Sequence, residues 1–287
     1  MKTTVKAAAK INLHLDIVST LPNGYHSLFM IMQSVGLYDT VTVEKAPKGI
    51  EITCSAPEIP TDKTNIAFKA CKAFFEATGI RGGAKIHIEK HIPHAAGLAG
   101  GSADGAAVIA ALNRIYETKL TDFELCRVGI KVGADVPFCL TGGTRLSQDI
   151  GGVLSPLPPI GEMLIVLAKP ECSVSTKEAY QAFEKCEYVR HPNNAAVLHA
   201  AANSNFGGIC KNACNVFEQF VEVAERVEIK RIMREHNSLM CLMSGSGPTV
   251  FGVFDNEADA LACAGELRQP IGEVYVCRTV TEGLSLD

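Results

Sequence analysis

Apolar and polar residues alternate along several short segments in the first half of the chain. In residues 10–18 every second side chain is apolar, which is typical of a strand with one buried face. Residues 85–90 alternate in the same way. Residues 41–44 and 50–54 are also strand-like and flank a Pro-Lys-Gly turn, so a hairpin is predicted there. In the first strand the residues predicted to share one side are Ile11, Leu13, Leu15 and Ile17.

Three segments show the helical spacing of three and four residues between apolar positions. The first covers residues 65–77, and the second follows a glycine-rich segment around residues 106–116. The third begins at Thr121-Asp122-Phe123-Glu124, a capping box in which the Thr hydroxyl and the Glu carboxylate each accept a backbone amide proton. This third helix is predicted to end near Gly133.

Three prolines within residues 156–159 interrupt the chain near its middle. Proline is excluded from helix interiors and central strands, so we place a domain boundary here, between residues 1–157 and 158–287. The second domain is predicted to contain strands at 163–168, 240–243, 249–254 and 274–278, several helices between 175 and 236, and a helix at 257–267. An antiparallel sheet covered by helices is the simplest assembly of these elements, so the predicted fold class is α+β.

Composition and charge limit the classes of function. Hydrophobic residues make up 47% and charged residues 20% of the 287 positions, an ordinary globular balance. The formal net charge of −4 argues against nucleic-acid binding, which needs a basic face. We identify neither a signal peptide nor an apolar run of the roughly 20 residues that a membrane span needs, so a cytoplasmic protein without a membrane partner is expected. The eleven cysteines are scattered and are predicted to be reduced thiols.

A segment rich in glycine and other small residues follows the strand predicted at 85–90 and opens the second helix. Small residues allow the backbone to approach an oxyanion closely, and glycine reaches positive φ without steric cost. Successive amide N–H groups can then converge on phosphate oxygens, together with the positive end of the helix. Ser102 can either cap the helix or offer its hydroxyl to a phosphate or to Mg²⁺. The predicted phosphate-binding residues are Pro93, His94, Ala95, Ala96, Gly97, Leu98, Ala99, Gly100, Gly101, Ser102 and Ala103.

Three other glycine motifs do not fit this segment. A Walker loop ends in Gly-Lys-Ser/Thr, but no lysine lies between Lys90 and Lys119. A Rossmann motif needs Gly-x-Gly-x-x-Gly, but Ala99 stands two residues after Gly97. A hydrolase elbow needs Gly-x-Ser-x-Gly, but Asp104 occupies its last position. A tight strand-to-helix turn that binds no ligand remains the alternative.

The segment resembles the phosphate loop of the galactokinase–homoserine kinase–mevalonate kinase superfamily, which reads Pro-x-x-x-Gly-Leu-Gly followed by Gly and Ser. Further segments resemble other motifs of this superfamily, and together they follow in order over nearly the whole chain. Two residues depart from the loop pattern: Ala99 replaces the third glycine and Ala103 replaces a second serine. The first departure predicts that position 99 does not need a positive φ. The other matching segments are Ala9-Lys10-Ile11-Asn12-Leu13, Asn23-Gly24-Tyr25-His26, Gly133-Ala134-Asp135-Val136-Pro137-Phe138 and Ser244-Gly245-Ser246-Gly247.

This resemblance implies a fold and an activity. The expected fold has an N-terminal domain like domain 2 of ribosomal protein S5 and a C-terminal ferredoxin-like domain, with the active site between them. The segments at the N-terminus and around Asp135 resemble one branch of the superfamily. Its reaction transfers the γ-phosphoryl group of ATP, which brings Mg²⁺, to the 2-hydroxyl of 4-(cytidine 5′-diphospho)-2-C-methyl-D-erythritol in non-mevalonate isoprenoid precursor synthesis. A homoserine-type or mevalonate-type kinase and a non-catalytic sensor with the same fold are the alternatives.

Lys10 and Asp135 are the candidate catalytic residues. Asp135 lies in an apolar segment that follows a predicted helix, where a lone carboxylate is costly without a partner. Lys10 lies on the alternating strand and could be that partner. The resemblance implies that Asp135 accepts the proton of the acceptor hydroxyl and that Lys10 stabilises charge on the transferring group. A purely structural ion pair between strand and loop is the other interpretation.

The resemblance also implies a pocket for the cytosine base of the acceptor. In it Tyr25 stacks on the base and His26 gives hydrogen bonds. Thr176 and Tyr180 lie four residues apart on a predicted helix and share one face, and they are expected to complete the pocket, with Tyr180 on the opposite face of the base. A tyrosine on a helix stripe is otherwise a core residue. Asn12 is expected to contact the diphosphate or the hydroxyls of the acceptor.

Two assignments stay open between binding and structure. Asn65 opens the first helix, where it is expected either to lie near the adenine of ATP or to cap the helix. Residues 244–247 either direct backbone amides towards substrate phosphates or form only a turn between two strands. No metal ligand is assigned, and a monomer or weak homodimer is expected. Histidines without metal-ligand spacing, predicted at the surface or in loops, are His87, His91, His191, His199 and His236.

Overall fold

The structure, a computed structural model, describes residues 1–22 and 24–286. Its strands form two sheets, and helices pack against both. The strands are β1 (Lys2–Thr20), β2 (His26–Ala46), β3 (Gly49–Cys54), β4 (Gly83–Glu89), β5 (Thr144–Asp149), β6 (Val153–Pro156), β7 (Leu164–Lys169), β8 (Met240–Met243), β9 (Val250–Phe254), β10 (Glu273–Arg278) and β11 (Leu284–Leu286). The helices are α1 (Ile66–Thr78), α2 (Gly100–Ile115), α3 (Asp122–Gly129), α4 (Val136–Thr141), α5 (Thr176–Lys185), α6 (Asn194–Ala202), α7 (Phe206–Asn212), α8 (Arg226–Glu235), α9 (Glu257–Ile271) and a 3₁₀ helix (Val216–Gln219).

The first sheet has the order β11-β1-β2-β4-β3, with β5 beside β2 and β6 beside β5. The hairpin predicted between β2 and β3 is wrong, because β4 lies between these strands and pairs with β3 in parallel. Gly83 permits this arrangement, since a Cβ there would lie 2.4 Å from the carbonyl oxygen of Gly49. The turn signal at 47–49 predicts a reversal of the chain, but it does not select the strand that pairs afterwards.

A β-bulge in the middle of β1 changes the side of the sheet that the following residues face. The pairing of β1 with β2 shifts register between Asn12 and His14, so that Leu13 is the additional residue. Ile11 and Leu13 pack in the main core with α2, whereas Leu15 belongs to a second cluster that contains Phe217. The prediction of one continuous apolar face from Ile11 to Ile17 is therefore wrong beyond the bulge. The bulge directs His14 and Asp16 towards α6.

Two helices of the first domain, α1 and α3, start where their capping residues predict. The Asn65 side chain accepts a hydrogen bond from Ala67 N and caps α1, and the capping box at Thr121 starts α3. However, α3 ends at Gly129, earlier than predicted, and Asp135 is the N-cap residue of the short helix α4. Asp135 therefore lies directly before a helix, whereas the sequence predicts it directly after one.

The second sheet has the order β10-β7-β9-β8 and is antiparallel, as predicted. The predicted break near 156–159 falls between β6 of the first sheet and β7 of the second. The end of the chain returns to the first sheet, where Leu284 of β11 pairs with Ala7 of β1. The domain boundary at 157/158 stays a prediction. β11 follows this boundary in sequence but pairs in the first sheet.

The buried His14 couples stability to pH. His14 Nδ1 accepts a hydrogen bond from Cys214 N at 3.2 Å, so the ring carries its proton on Nε2, which lies 2.8 Å from Asn194 Oδ1. Burial lowers the pKa of His14, and the Asn194 hydrogen bond and the Asp16 charge oppose this only in part. Protonation would place a second N–H against the Cys214 amide.

We expect the free energy of unfolding to fall as the pH is lowered below about 6.5, the ordinary pKa of histidine, because the unfolded chain then binds a proton that the folded chain excludes. Urea unfolding at pH 7.5 and pH 5.5 measures this change. In His14→Asn the decrease should be smaller than in wild type, while the exposed His199→Asn should behave like wild type. An unchanged decrease in His14→Asn would contradict this assignment.

Candidate active site

A cavity of about 880 Å³ lies between the two sheets and receives residues from both halves of the chain. Leu98 and Ala103 are the two predicted phosphate-loop residues that lie behind it, buried in the core. Asn23, part of the predicted acceptor motif, lies outside the described residues. The predicted site residues that line the cavity are Lys10, Asn12, Tyr25, His26, Asn65, Pro93, His94, Ala95, Ala96, Gly97, Ala99, Gly100, Gly101, Ser102, Asp135, Thr176 and Tyr180.

The part of the predicted phosphate-binding segment that precedes α2, residues 93–99, is called the phosphate loop from here on, and it leads directly into α2. Ala95, Gly97 and Ala99 have φ values of 50°, 75° and 59°. The prediction that position 99 does not need a positive φ is therefore wrong. A left-handed alanine costs about 1 to 2 kcal/mol, which the surrounding packing must offset. The consequence is a loop whose backbone turns sharply before the helix begins.

The first turn of α2 faces the cavity. Its N-cap residue is Ala99, which has no capping side chain, so the suggestion that Ser102 caps the helix is wrong. Ser102 lies in the first turn and lines the cavity. The first intrahelical bond runs from Ala103 N to Ala99 O, so the preceding amides of Gly100, Gly101 and Ser102 need other partners. Such amides at a helix N-terminus suit a phosphate.

Lys10 and Asp135 meet across the cavity, as predicted. Lys10 Nζ lies 3.7 Å from Asp135 Oδ2, and the two side chains are 6% and 33% exposed. Lys10 Nζ also donates a hydrogen bond of 2.7 Å to Asn12 Oδ1. Within the described chain Asp135 makes no capping hydrogen bond through its side chain. Its carboxylate therefore faces the cavity between an ammonium group and the N-terminus of α4.

The glycine turn, residues 244–247, joins β8 to β9 and also packs on the phosphate loop. Ser244 N donates to Thr249 O within the hairpin, while Ser244 Oγ donates to Gly97 O at 2.9 Å. A Cβ on Gly97 would lie 2.1 Å from Ser244 O. Gly245 lines the cavity. The turn is thus both a strand connection and a wall of the site, and its contact with substrate phosphates stays a prediction.

Aromatic side chains enclose the other end of the cavity. The rings of His26 and Tyr180 stack at 4.9 Å between centroids and 8° between planes, and Phe217 packs edge-on against Tyr180. Tyr25 is 63% exposed and also lines the cavity. Thr176 Oγ1 lies 3.1 Å from Ser246 Oγ, so Thr176 connects α5 to the glycine turn. The predicted acceptor residues come together, although Tyr180 covers the His26 ring.

The side chains of this aromatic end have defined polar roles. His26 Nδ1 lies 3.1 Å from Thr20 Oγ1, and His26 Nε2 lies 3.3 Å from Glu184 Oε1. Burial raises the pKa of Tyr180 to about 12, so its hydroxyl remains protonated at neutral pH.

Asn65, at the opposite end of the cavity, caps α1 and donates to Pro60 O at 2.6 Å. Its capping role is confirmed, and its contact with adenine stays a prediction.

Sequence reasoning missed a charged cluster beneath the phosphate loop. Lys90 Nζ donates to Asp39 Oδ2 at 2.5 Å and to Asp104 Oδ2 at 2.9 Å. Asp39 Oδ1 accepts hydrogen bonds from the amides of His91 and Ile92 and so holds the chain that enters the loop. Burial raises the pKa of Asp104 to about 7 despite the Lys90 charge. The sequence signal for this cluster is Lys90, a charged residue at the end of the alternating strand predicted at 85–90.

Two further structural findings bear on cofactors and location. Among residues 1–22 and 24–286, no group of three or more His, Cys, Asp or Glu side chains could hold a metal ion. The same residues contain no helix that is long and apolar enough to cross a membrane.

Comparison with known proteins identifies the family. The model named GHMP kinases N terminal domain matches residues 65–143, which include the phosphate loop and Asp135, and the model named GHMP kinases C terminal matches residues 197–271, which include the glycine turn. A 4-diphosphocytidyl-2-C-methyl-D-erythritol kinase from Clostridium acetobutylicum is 44% identical over 96% of this chain and 99% of its own length. The chain belongs to the GHMP kinase family.

Other relatives agree with this assignment. A second 4-diphosphocytidyl-2-C-methyl-D-erythritol kinase, from Caldicellulosiruptor saccharolyticus, is 44% identical to this GHMP kinase, with 96% of each chain covered. A crystal structure of a 4-(cytidine 5′-diphospho)-2C-methyl-D-erythritol kinase has a TM-score of 0.80 at 30% identity and covers 97% of this chain and 99% of its own. The homoserine kinase from Cytophaga hutchinsonii has a TM-score of 0.82 at 19% identity, covering 100% and 97%. The fold is therefore shared across acceptor types.

The family confirms two predictions made from sequence. This GHMP kinase has the two-domain α+β fold of its family, and it is an ATP-dependent small-molecule kinase. A similar TM-score for a homoserine kinase means that fold alone does not distinguish the acceptor. The choice of acceptor has to be argued from the side chains at the aromatic end of the cavity.

Proposed function

We propose that this kinase transfers the γ-phosphoryl group of ATP to the 2-hydroxyl of 4-(cytidine 5′-diphospho)-2-C-methyl-D-erythritol. The observation that carries this proposal is a single cavity that joins an aromatic end, built around His26 and Tyr180, to the Lys10–Asp135 pair and the phosphate loop. Relatives at 44% identity over 96% of the chain bear the name of this kinase. The product would serve non-mevalonate isoprenoid precursor synthesis.

The aromatic end suits a flat base with hydrogen-bonding edges. Tyr25 stands exposed at the cavity wall and Tyr180 presents a ring face, so a cytosine can stack against them, with Tyr180 moving off the His26 ring. His26 then offers Nε2 to the base edge in place of its contact with the exposed Glu184, while Nδ1 stays beside Thr20 Oγ1, and Thr176 adds a hydroxyl from α5. Homoserine and mevalonate have no base to occupy this end.

At the other end, the phosphate loop holds the nucleotide. The amides of Gly100, Gly101 and Ser102 hydrogen-bond phosphate oxygens, and Asn65 lies on the cavity wall where adenine would bind. Mg²⁺ enters with ATP and neutralises phosphate charge. A single side-chain hydroxyl, that of Ser102, stands in this turn, because alanine occupies position 103.

Asp135 and Lys10 act on the reacting groups. The acceptor hydroxyl oxygen forms a bond to the γ-phosphorus as the bond from the γ-phosphorus to the bridging oxygen of ADP breaks. Asp135 takes the hydroxyl proton, and the Lys10 ammonium, held by Asn12, stabilises negative charge on the transferring group. Asn12 thereby positions Lys10, and it also stands beside the acceptor.

Parallel turnover assays with ATP test this function. Purified protein is supplied with the cytidylyl acceptor, homoserine or mevalonate, and ADP release is measured for each. We expect turnover with the cytidylyl acceptor. Activity confined to homoserine or mevalonate would reject the proposed acceptor, and absence of turnover with all three would favour the non-catalytic alternative. The proposed localisation is cytoplasmic, and a monomer or weak homodimer stays the predicted assembly.

Truncation of Tyr180 tests base stacking. In Tyr180→Ala we expect the KM for the cytidylyl acceptor to rise about fivefold or more, because loss of an aromatic pair costs roughly 1 kcal/mol, while the KM for ATP is unchanged. The matched control is Tyr188→Ala, since Tyr188 is 79% exposed and is not among the residues that line the cavity. Equal acceptor KM values for the two variants would contradict the stacking role.

A further inference from the structure

The glycine turn is held from behind by side chains near the 3₁₀ helix. Asn215 Nδ2 donates to Met243 O at 2.7 Å and to Gly245 O at 2.8 Å. Glu218 Oε1 accepts from Met243 N at 2.6 Å. Three backbone atoms that begin the turn are therefore bound by two side chains, which we call the clamp, Asn215 and Glu218.

The polar atoms of the clamp are matched, with Asn215 buried and Glu218 partly buried. Asn215 is 1% exposed, and its Oδ1 accepts from Phe217 N at 3.0 Å, so the carboxamide uses its acceptor and both donors. Glu218 Oε2 pairs with Lys230 Nζ at 2.5 Å, which orients Oε1 towards the turn. A largely buried network with its polar groups satisfied favours one backbone geometry, because each alternative leaves a polar group unpaired.

In front of the clamp, the turn touches both parts of the phosphoryl-transfer machinery. A Cβ placed on Gly245 would lie 3.4 Å from Lys10 Nζ and 3.3 Å from Gly97 O. Ser244 Oγ donates to Gly97 O. A displacement of the turn therefore moves or releases the catalytic ammonium and the phosphate loop together.

On its other side, the same segment supports the aromatic end of the cavity. Leu15 N donates to Cys214 O at 2.8 Å, and Leu15 and Asn215 form an isolated parallel bridge, which fixes the segment to β1. Phe217, one residue before Glu218, packs edge-on against Tyr180 at 5.3 Å between centroids. One short segment thus contacts both the glycine turn and the base pocket.

We propose that Asn215 and Glu218 are positioning residues that set the glycine turn against Gly97 and Lys10 and link this geometry to the base pocket. Neither residue lines the cavity, so both act through the turn. The link to the base pocket rests on the proposed function, whereas the positioning of Gly97 and Lys10 does not. Loss of the clamp lets the reacting ends of ATP and acceptor separate, and a displacement of 1 Å can cost about 10² in rate.

The test replaces the donors of Asn215 and keeps its capping acceptor. Asn215→Ser retains an oxygen for Phe217 N but removes both hydrogen bonds to the turn. The matched control is Asn205→Ser, because Asn205 caps α7 through the same kind of bond, to Gly208 N at 2.9 Å, and is exposed. Each protein is assayed well below its melting temperature, with ADP affinity measured by calorimetry.

We expect kcat of Asn215→Ser to lie about 10-fold to 100-fold below that of Asn205→Ser, while the variant remains folded at the assay temperature. A purely structural role would lower the melting temperature and leave kcat and ADP affinity equal to the control, and that result would overturn the proposal. If Asn215→Ser does not fold, Glu218→Ala serves instead, because it removes the acceptor of Met243 N and with it one of the three hydrogen bonds that hold the turn. A kcat equal to wild type in that variant would also overturn the proposal.

The experiments can reject the proposed function and the role of the clamp independently of each other. If wild type turns over another acceptor and rejects the cytidylyl acceptor, the proposed function fails, yet kcat with that other acceptor and ADP affinity still test the clamp. If wild type uses the cytidylyl acceptor and both clamp variants match their controls, only the clamp fails.

Discussion

Asp135→Asn will lower kcat by about 10² to 10⁴ and leave the fold intact. The substitution keeps the size of the side chain but removes the group that accepts the hydroxyl proton. Asp135 is partly exposed and does not cap α4 through its side chain, so little folding energy depends on its charge. Initial rates at saturating ATP and acceptor, together with a thermal unfolding curve, measure both quantities.

The control is Asp255→Asn, because Asp255 is an exposed carboxylate at the end of β9 and outside the cavity. It should keep wild-type kcat. If Asp135→Asn also kept wild-type kcat, the Lys10–Asp135 pair would be only structural, which is the alternative that sequence left open. If instead the variant unfolded at much lower temperature with unchanged specific activity, the ion pair would serve stability alone.

Gly97→Ala will weaken both the fold and the binding of ATP. A Cβ at this position would lie 2.1 Å from Ser244 O, and Gly97 has a φ of 75°. Forced overpacking costs about 1 to 3 kcal/mol and a left-handed alanine about 1 to 2 kcal/mol, so we expect a loss of about 2 to 5 kcal/mol in the free energy of unfolding. The KM for ATP should rise at least about tenfold, because the phosphate loop and the glycine turn have to separate.

Urea unfolding and ATP titration of the rate measure these effects. The control is Gly265→Ala in α9, where an added Cβ meets no atom within 4 Å and φ is not positive. Alanine is favoured over glycine inside a helix by roughly 0.5 to 1 kcal/mol, so this control should be slightly more stable than wild type. Unchanged stability and ATP KM in Gly97→Ala would contradict the close contact between loop and turn.

The starts of α1 and α3 and the presence of several strands were predictable because each depends on neighbours in sequence. The capping box at Thr121 starts α3, and Asn65 caps α1, since capping involves residues two or three positions apart. The glycine-rich turn before α2 was predictable in position from its composition. Its backbone was not: Ala99 adopts a positive φ that the residue type argues against.

Contacts between distant segments could not be predicted from local pattern. β3 pairs with β4 although β2 is its neighbour in sequence, because the choice of partner depends on which edges the rest of the sheet leaves available. The cluster of Asp39, Lys90 and Asp104 joins residues from β2, the end of β4 and α2. The clamp at Asn215 and Glu218 carries no motif recognised from sequence, and its role depends on the backbone of β8 and the turn.

The sequence by itself determined the elements, the superfamily resemblance and the chemical types at the site, since spacing and residue type decide these locally. Tertiary structure decided which of those residues meet. The bulge at Leu13 turns β1 over, so that Lys10 and Asn12 face the cavity with Leu15 while His14 and Asp16 bind α6. The glycine turn reaches Gly97 only because two separate sheets pack together. The physical reason is that a contact between two side chains distant in sequence forms only if the rest of the chain places them together. That placement depends on the packing of the whole core.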